Sequence, residues 1–238
     1  MRGGQLITSE SHESLIVARE LTRLYPMGAN EVVGITSVDL DIGSGELVVL
    51  KGESGSGKST LLALLAGLDQ PTSGQLRIGG YDLHRTSAAE LTQYRRQMVG
   101  MVFQSFNLLP TLTVLENVAL PALLAGRRYA EVYPGAEQLL TWLRMDARRQ
   151  HLPAQLSGGE MQRAAIARAL INDPAIILAD EPTGNLDSHN SSIVLDLLVR
   201  LNREQGRTVI IATHSGFADD LATIRIQLKD GLLVPPPG

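Results

Sequence analysis

A chain of 238 residues, 44% apolar and 19% charged, is long and apolar enough to bury a core and does not read as disordered. Its formal charge of −4 leaves no basic footprint, so no direct nucleic-acid contact is expected. With no cysteine, disulfides, thiolate zinc sites and cysteine nucleophiles are excluded, and any chemistry must use oxygen and nitrogen.

Residues 1–14, MRGGQLITSESHES, read as a polar tail. They lack the apolar stretch of about 7–15 residues that a secretion signal needs, and no apolar run in the chain reaches the roughly 18 residues of a membrane span. The expectation is a cytoplasmic protein whose membrane contact passes through a partner. Three strand-like runs follow, SLIVARELTRLY, ITSVDLDI and ELVVLKG, rich in branched apolar residues and separated by Gly, Asn and Ser. The third ends at Gly52, where the pattern becomes KSTLLALLAG, helical in spacing and stopped at Gly67. A short strand pair around GQLRIGGYDL, a polar helix SAAELTQYRRQM and a strand VGMVFQ come next.

From Thr113 to about Met145 the composition is helical, broken at Pro121 and Pro134, and Pro134 moves the start of its helix later. Strand AIILAD, helix SSIVLDLLVRLNRE, strand TVIIAT, a short helix and two strands complete the chain, with 235–238 as a tail. The expected organisation is an α/β core with a parallel sheet, an N-terminal antiparallel β subdomain, and a helical subdomain inserted at about 105–172, all within 15–234.

GESGSGKST fits G-x-x-x-x-G-K-[ST] as Gly52, Gly57, Lys58 and Ser59, with a strand before it and a helix after. Glycines let backbone N–H groups curl around an anion, the helix start adds partial positive charge, and Lys58 neutralises the outer phosphates. Gly52, Glu53, Ser54, Gly55, Ser56, Gly57, Lys58, Ser59 and Thr60 thus form a candidate triphosphate cradle. Ser59 offers its hydroxyl to Mg²⁺, and Thr60 can reach an inner phosphate.

A second site decides what is done with the phosphate. In AIILADEP, the apolar run Ile176 to Ala179 delivers Asp180 and Glu181 to the end of a buried strand, the ligand edge of a parallel sheet. Asp180 is placed to hold Mg²⁺ through water, and Glu181 to polarise an attacking water as general base. His214 after VIIAT and Gln104 after MVF end other strands on that edge. His214 would sense the γ-phosphate; Gln104 would touch both metal and water.

LSGGEMQRAAIARAL, Leu156 to Leu170, opens with a hydroxyl and two glycines and becomes a helix that NDP, Asn172 to Pro174, stops. Met161, Ala165 and Ala169 form an apolar stripe with Ile166 and Leu170 beside it, and Arg163 and Arg168 lie elsewhere. Ser157, Gly158 and Gly159 make the helix start a second anion site, although an ordinary capped helix has the same local chemistry.

Taken in order, Gly52–Ser59, Gln104, Ser157–Glu160, Asp180–Glu181, GNLDS at Gly184–Ser188 and His214 resemble the Walker A, Q-loop, signature, Walker B, D-loop and switch histidine of ABC ATPases, over about residues 15 to 234. The resemblance implies a P-loop NTPase fold with ATP and Mg²⁺ as cofactors. It implies a second copy of the chain packed head to tail, so that Ser157, Gly158, Gly159 and Glu160 of one copy meet the γ-phosphate held by the other. Tyr25 matches the aromatic that stacks on adenine, and Asp187 would lie at the dimer seam. Ser215 stands where the family usually has an acid, which leaves His214 without that neighbour.

GLDQPTSGQLRIGG, VFQSFNLLPTLTVLENVALP and LADEPTGNLDS resemble, more narrowly, the mechanotransmission group of macrolide and peptide exporters, lipoprotein-release complexes and the related cell-division ATPase. This implies an integral-membrane permease with four transmembrane helices, which a cytoplasmic subunit grips on the inner face of the membrane. The gripping groove would run along Gln104–Leu115 and the helical subdomain; Phe106, Leu108 and Leu109 either line it or belong to the core. A regulatory cassette that signals across the membrane to an extracytoplasmic enzyme, without moving a substrate, would read the same. A P-loop GTPase or nucleotide kinase fits less well, because an N-K-x-D run, which would read guanine, is absent and the signature motif is present. DNA-repair and ribosomal members carry long coiled coils or tandem cassettes that this sequence lacks.

Overall fold

The computed structural model describes residues 14–28, 30–216 and 218–235. The tail expected at 1–13 and the last three residues of the one expected at 235–238 lie outside that description. Ser14, shared from sequence by the tail and the first strand-like run, opens the first strand, where its hydroxyl donates to Asp41 at 2.6 Å.

Two long strands, β1 (Ser14–Met27) and β2 (Asn30–Gly43), pair antiparallel. After β3 (Leu47–Lys51) and α1 (Lys58–Leu65), the chain returns as β4 (Ser73–Ile78) and β5 (Tyr81–Asp82), extending the first sheet to the order β2-β1-β4-β5. The antiparallel subdomain therefore takes strands from both sides of the phosphate-loop helix. That helix ends in a left-handed glycine: Gly67, at φ +63°, donates to the Leu64 carbonyl while Leu68 donates to that of Ala63. This is the two-bond glycine stop that the sequence pattern predicts.

The second sheet has the order β10-β9-β3-β8-β7-β6, with β6 (Val99–Val102), β7 (Ile176–Asp180), β8 (Thr208–Thr213), β9 (Ile224–Lys229) and β10 (Leu232–Val234). Pairing is parallel from β6 through β9, and β10 closes the edge antiparallel. Alternate residues of its central strands enter two different cores. Val48, Leu50, Ile176, Leu178, Ile210 and Ala212 pack toward α1 and the antiparallel sheet. Leu47, Val49, Ile177, Ala179, Val209 and Ile211 pack toward α6 (Ser188–Arg203) and the helical region. Burial on both faces explains why these strands read as unbroken apolar runs rather than as alternating ones.

The helical region is α3 (Val114–Leu124), α4 (Tyr129–Trp142) and α5 (Gly158–Leu170), following α2 (Ala88–Gln97) and β6. Here the structure corrects the sequence reading, since Pro121 and Pro134 both sit inside helices and α4 starts before Pro134. A proline costs an interior helix the bond to the carbonyl four residues back. In α4 that carbonyl belongs to Ala130, which is exposed along with Pro134, so water can take the lost bond. Val132, Ala136 and Leu140, spaced four apart on the opposite side, are fully buried and hold the helix in place.

Candidate functional site

The C-terminal ends of β3, β6, β7 and β8 converge on a cleft of about 760 Å³. β3 runs into the glycine loop, where Gly55 and Gly57 adopt φ +80° and +106°, a region that side chains with a Cβ avoid. Gly57 is also the N-cap of α1, without a side-chain cap. Among the described residues, the N–H groups of Gly55, Gly57, Lys58, Ser59 and Thr60 have no acceptor, so the loop presents a nest of free donors at a helix start. Lys58 is held across this nest, its ammonium donating to the carbonyls of Gly52 at 2.8 Å and Glu53 at 3.0 Å. Glu53, Ser54, Gly55, Gly57, Lys58, Ser59 and Thr60 line the cleft, whereas Gly52 and Ser56 lie buried beneath it. The Ser56 hydroxyl there has no partner among the described residues.

β7 delivers the acids. Glu181 has φ +44°, a strained backbone for a residue with a side chain, and its N–H donates to the Ala212 carbonyl at 2.9 Å. That turn aims its carboxylate into the cleft, 3.7 Å from the Lys58 ammonium and 3.0 Å from Nδ1 of His214. Asp180 lies behind it, with burial as the first cause holding its carboxyl above the usual range and the neighbouring Ser59 hydroxyl opposing that shift. Its Oδ1 is buried with no partner. One orphaned carboxylate oxygen beside a serine hydroxyl suits Mg²⁺, which takes few protein ligands and completes its shell with water and phosphate oxygens. No group of three or more His, Asp or Glu able to hold a metal exists among the described residues, so a metal here would depend on the bound phosphates.

Gln104 and His214 both line the cleft. Gln104 lies against the turn after the acids: a Cβ on Gly184 would stand 2.7 Å from its Nε2, and Asn185 donates to its carbonyl at 3.0 Å. Tyr25 forms the opposite wall with Val32, Val33 and Gly34.

The sequence comparisons bear on this cleft. The ABC transporter family matches residues 35–184. The lipoprotein-releasing system ATP-binding protein LolD of Idiomarina loihiensis is 44% identical over 93% of this chain and 97% of its own length. The chain belongs to the ABC transporter family. It is an ATP-binding, ATP-hydrolysing cassette. The macrolide export ATP-binding/permease protein MacB of Marinobacter nauticus is 47% identical over 96% of the cassette, which spans only 35% of that longer protein. A dimeric, post-hydrolysis cassette MJ0796 bound to ADP and Pi superposes with a TM-score of 0.86, at 41% identity over 92% of this chain and 97% of that one.

The cassette does not bring every expected residue into the cleft. Ser157, Gly158, Gly159, Glu160 and Asp187 lie outside it, together at the meeting of α5 and α6. Asp187 caps α6 by accepting from Asn190 N–H at 2.8 Å and from its Nδ2 at 2.7 Å. A Cβ on Gly159 would stand 2.1 Å from Asn190 Oδ1, so any larger residue would have to displace the Asn190 side chain. Ser157 is exposed and closes a capping box with Glu160, both of whose bonds form.

Several contacts had no signal in the sequence. Gln162 in α5 is fully buried, and Arg168 donates to the carbonyls of Phe106 and Asn107. Asn117 is fully buried and clamps the turn before α3, accepting from Leu109 N–H and donating to the carbonyls of Leu109, Leu112 and Thr113. Of the three apolar residues expected on the groove, only Leu109 is exposed; Phe106 and Leu108 are half-buried, and Leu108 packs on the core. Ser215 bonds Thr213 rather than supporting His214, whose ring instead meets Glu181.

Proposed function

We propose that this ABC ATPase subunit drives a membrane partner by closing and opening an ATP-bridged pair of identical chains. The observation that carries the reading is the split between two phosphate-binding features: free donors line the cleft, while the signature helix start stands outside it with an exposed serine. Residues 15–234 act as one cassette with the helical subdomain at about 105–172. Within one copy, the loop Gly52–Thr60 holds the triphosphate, Tyr25 stacks on the base, and Lys58 neutralises the outer phosphates. Ser59, Asp180 and Gln104 would hold Mg²⁺, whose chemistry here is to neutralise charge on the phosphate oxygens.

Glu181 takes the proton of the attacking water, and His214, whose Nδ1 lies 3.0 Å from that carboxylate, senses the γ-phosphate. Ser157, Gly158, Gly159 and Glu160 of the second copy complete the phosphate shell, with Asp187 at the seam. No helix among the described residues is long and apolar enough to cross a membrane, which supports attachment through a permease. Likeness to the lipoprotein-release and macrolide-export ATPases supports a permease of the four-helix type, on the cytoplasmic face, and export or extraction as the work performed.

Purified Glu181→Gln, measured by size exclusion with light scattering, should shift from monomer to dimer on adding Mg-ATP, with turnover reduced at least about a hundredfold. A variant that still hydrolyses ATP would remove Glu181 as the base. One that binds ATP and stays monomeric would remove the shared site.

A further inference from the structure

A side-chain cluster stands beside the cleft that the phosphate chemistry does not use. Asp69 follows the glycine that ends α1, and its Oδ2 accepts from the Tyr25 hydroxyl at 2.8 Å and from Arg23 Nε at 2.9 Å. The same guanidinium reaches Oδ1 at 2.7 Å, making a two-pronged ion pair whose side chains are 24% and 22% exposed. Arg23 also lies over the Tyr25 ring, 4.6 Å from its centroid. Tyr25 lines the cleft, and Arg23, which holds one face of its ring, is not among the lining residues. On the neighbouring strand, a Cβ at Gly34 would stand 2.8 Å from Tyr25 Cε2, so the missing side chain lets the ring lie close to β2.

We infer that Asp69 is a positioning residue for nucleotide binding: it fixes Tyr25, with Arg23 behind it, as a prebuilt platform for a purine base. The inference rests on Tyr25 being the base-stacking residue. A tyrosine free to rotate must be ordered each time a base stacks on it, and that cost is subtracted from the affinity. Anchoring the hydroxyl and backing the ring removes the cost before the nucleotide arrives. An aromatic platform is suited to this because its affinity depends on ring placement and not on a hydrogen-bonded base edge.

Asp69 also ties β1 to the end of the phosphate-loop helix, so the test must separate base binding from phosphate binding. Calorimetry on the full chain would compare Mg-ADP with Mg-tripolyphosphate, which has phosphates and no base. Asp69→Ala should weaken ADP about three- to tenfold and leave tripolyphosphate unchanged. Tyr25→Phe, which keeps the ring and loses the anchor, should weaken ADP by a smaller factor and carries the test if Asp69→Ala does not fold. In steady-state assays KM for ATP should rise with kcat changed by less than about twofold, the pattern of lost uniform binding. Equal weakening of tripolyphosphate and ADP by Asp69→Ala would make it a structural tie and overturn the inference. If Tyr25→Ala weakens ADP but Asp69→Ala and Tyr25→Phe do not, the inference alone fails. If Tyr25→Ala leaves ADP affinity intact, the base-stacking reading fails with it.

Discussion

The glycine loop before α1 and the start of α5 are both glycine-rich helix starts, yet they are built in opposite ways. At α1 the cap residue is a left-handed glycine with no side chain to satisfy the helix, and polar atoms of Ser56 and Asp180 are buried without partners. At α5 the cap residue is a serine, its capping box is closed, and Glu160 is further tied to Arg148 at 2.8 Å. A loop that leaves donors and acceptors open is incomplete without a ligand. At a capped helix start the side chain satisfies one of the open donors, and the remaining N–H groups are those of Gly158 and the buried Gly159. The first arrangement suits a ligand bound by one chain, and the second is the one the proposed function gives to a surface meeting a ligand held by the other copy.

The largest expected effect lies in the open feature. Lys58 is the buried cation of the cleft, and Lys58→Ala should lower ATP affinity roughly a hundredfold, the loss of charge-assisted contacts to phosphate in a poorly hydrated site. The melting temperature should change far less, since the ammonium bonds only loop carbonyls and Glu181. A fall in affinity below about tenfold would mean that the N–H nest, and not Lys58, dominates the site.

Next come the glycines of the same loop, which differ in what surrounds them. A Cβ on Gly57 would lie 2.4 Å from the Gly34 carbonyl at φ +106°, while one on Gly55, at φ +80°, meets nothing within 4 Å. Gly57→Ala should therefore cost about 3 kcal/mol or more, backbone strain plus displacement of β2, and Gly55→Ala only about 1–2 kcal/mol of strain. Denaturant melts of the two variants test this directly. Equal costs would show that strain alone sets the price and that the approach of β2 to the loop is soft.

In the closed feature the expected effects are smaller. Ser157→Ala removes one acceptor for Glu160 N–H and should cost about 1 kcal/mol of stability. ATP affinity of the monomer should not change, because Ser157 lies outside the cleft, but ATP-dependent dimerisation of the Glu181→Gln chain should weaken. If monomer affinity falls instead, the division between the two features is wrong.

What was legible in the sequence follows the same division. The glycine loop, Asp180, Glu181, Gln104 and His214 were readable because each sits at the end of an apolar strand, and strand ends of a parallel sheet meet at one edge. The prolines misled because local propensity ignores tertiary packing: Val132, Ala136 and Leu140 bury one side of α4 and outweigh the bond lost at Pro134. Asp69 and Arg168 carried no signal, since each bonds a segment whose proximity is a product of the fold. Asp69 is separated from Tyr25 by 44 positions, and no periodicity relates them.

The smallest effect tests how the capped helix start is held. Arg148 first, and then the Ser157 N–H, hold the Glu160 carboxyl down at about 2, below its ordinary value. A carboxyl depressed in the folded state adds stability that is fully present above its unfolded value of about 4.3 and is lost as pH falls through about 2. Arg148→Ala removes the largest cause, so the folded value should rise toward the unfolded one and the acid-dependent part should shrink. At neutral pH the variant should be less stable by no more than about 1 kcal/mol, because the Arg148 side chain is 43% exposed and water screens the pair. The gap between variant and parent should then close as pH falls from about 4 to 2. A gap that persists unchanged at pH 2 would assign Arg148 to packing, and the helix start would then rest on Ser157 and Glu160 alone.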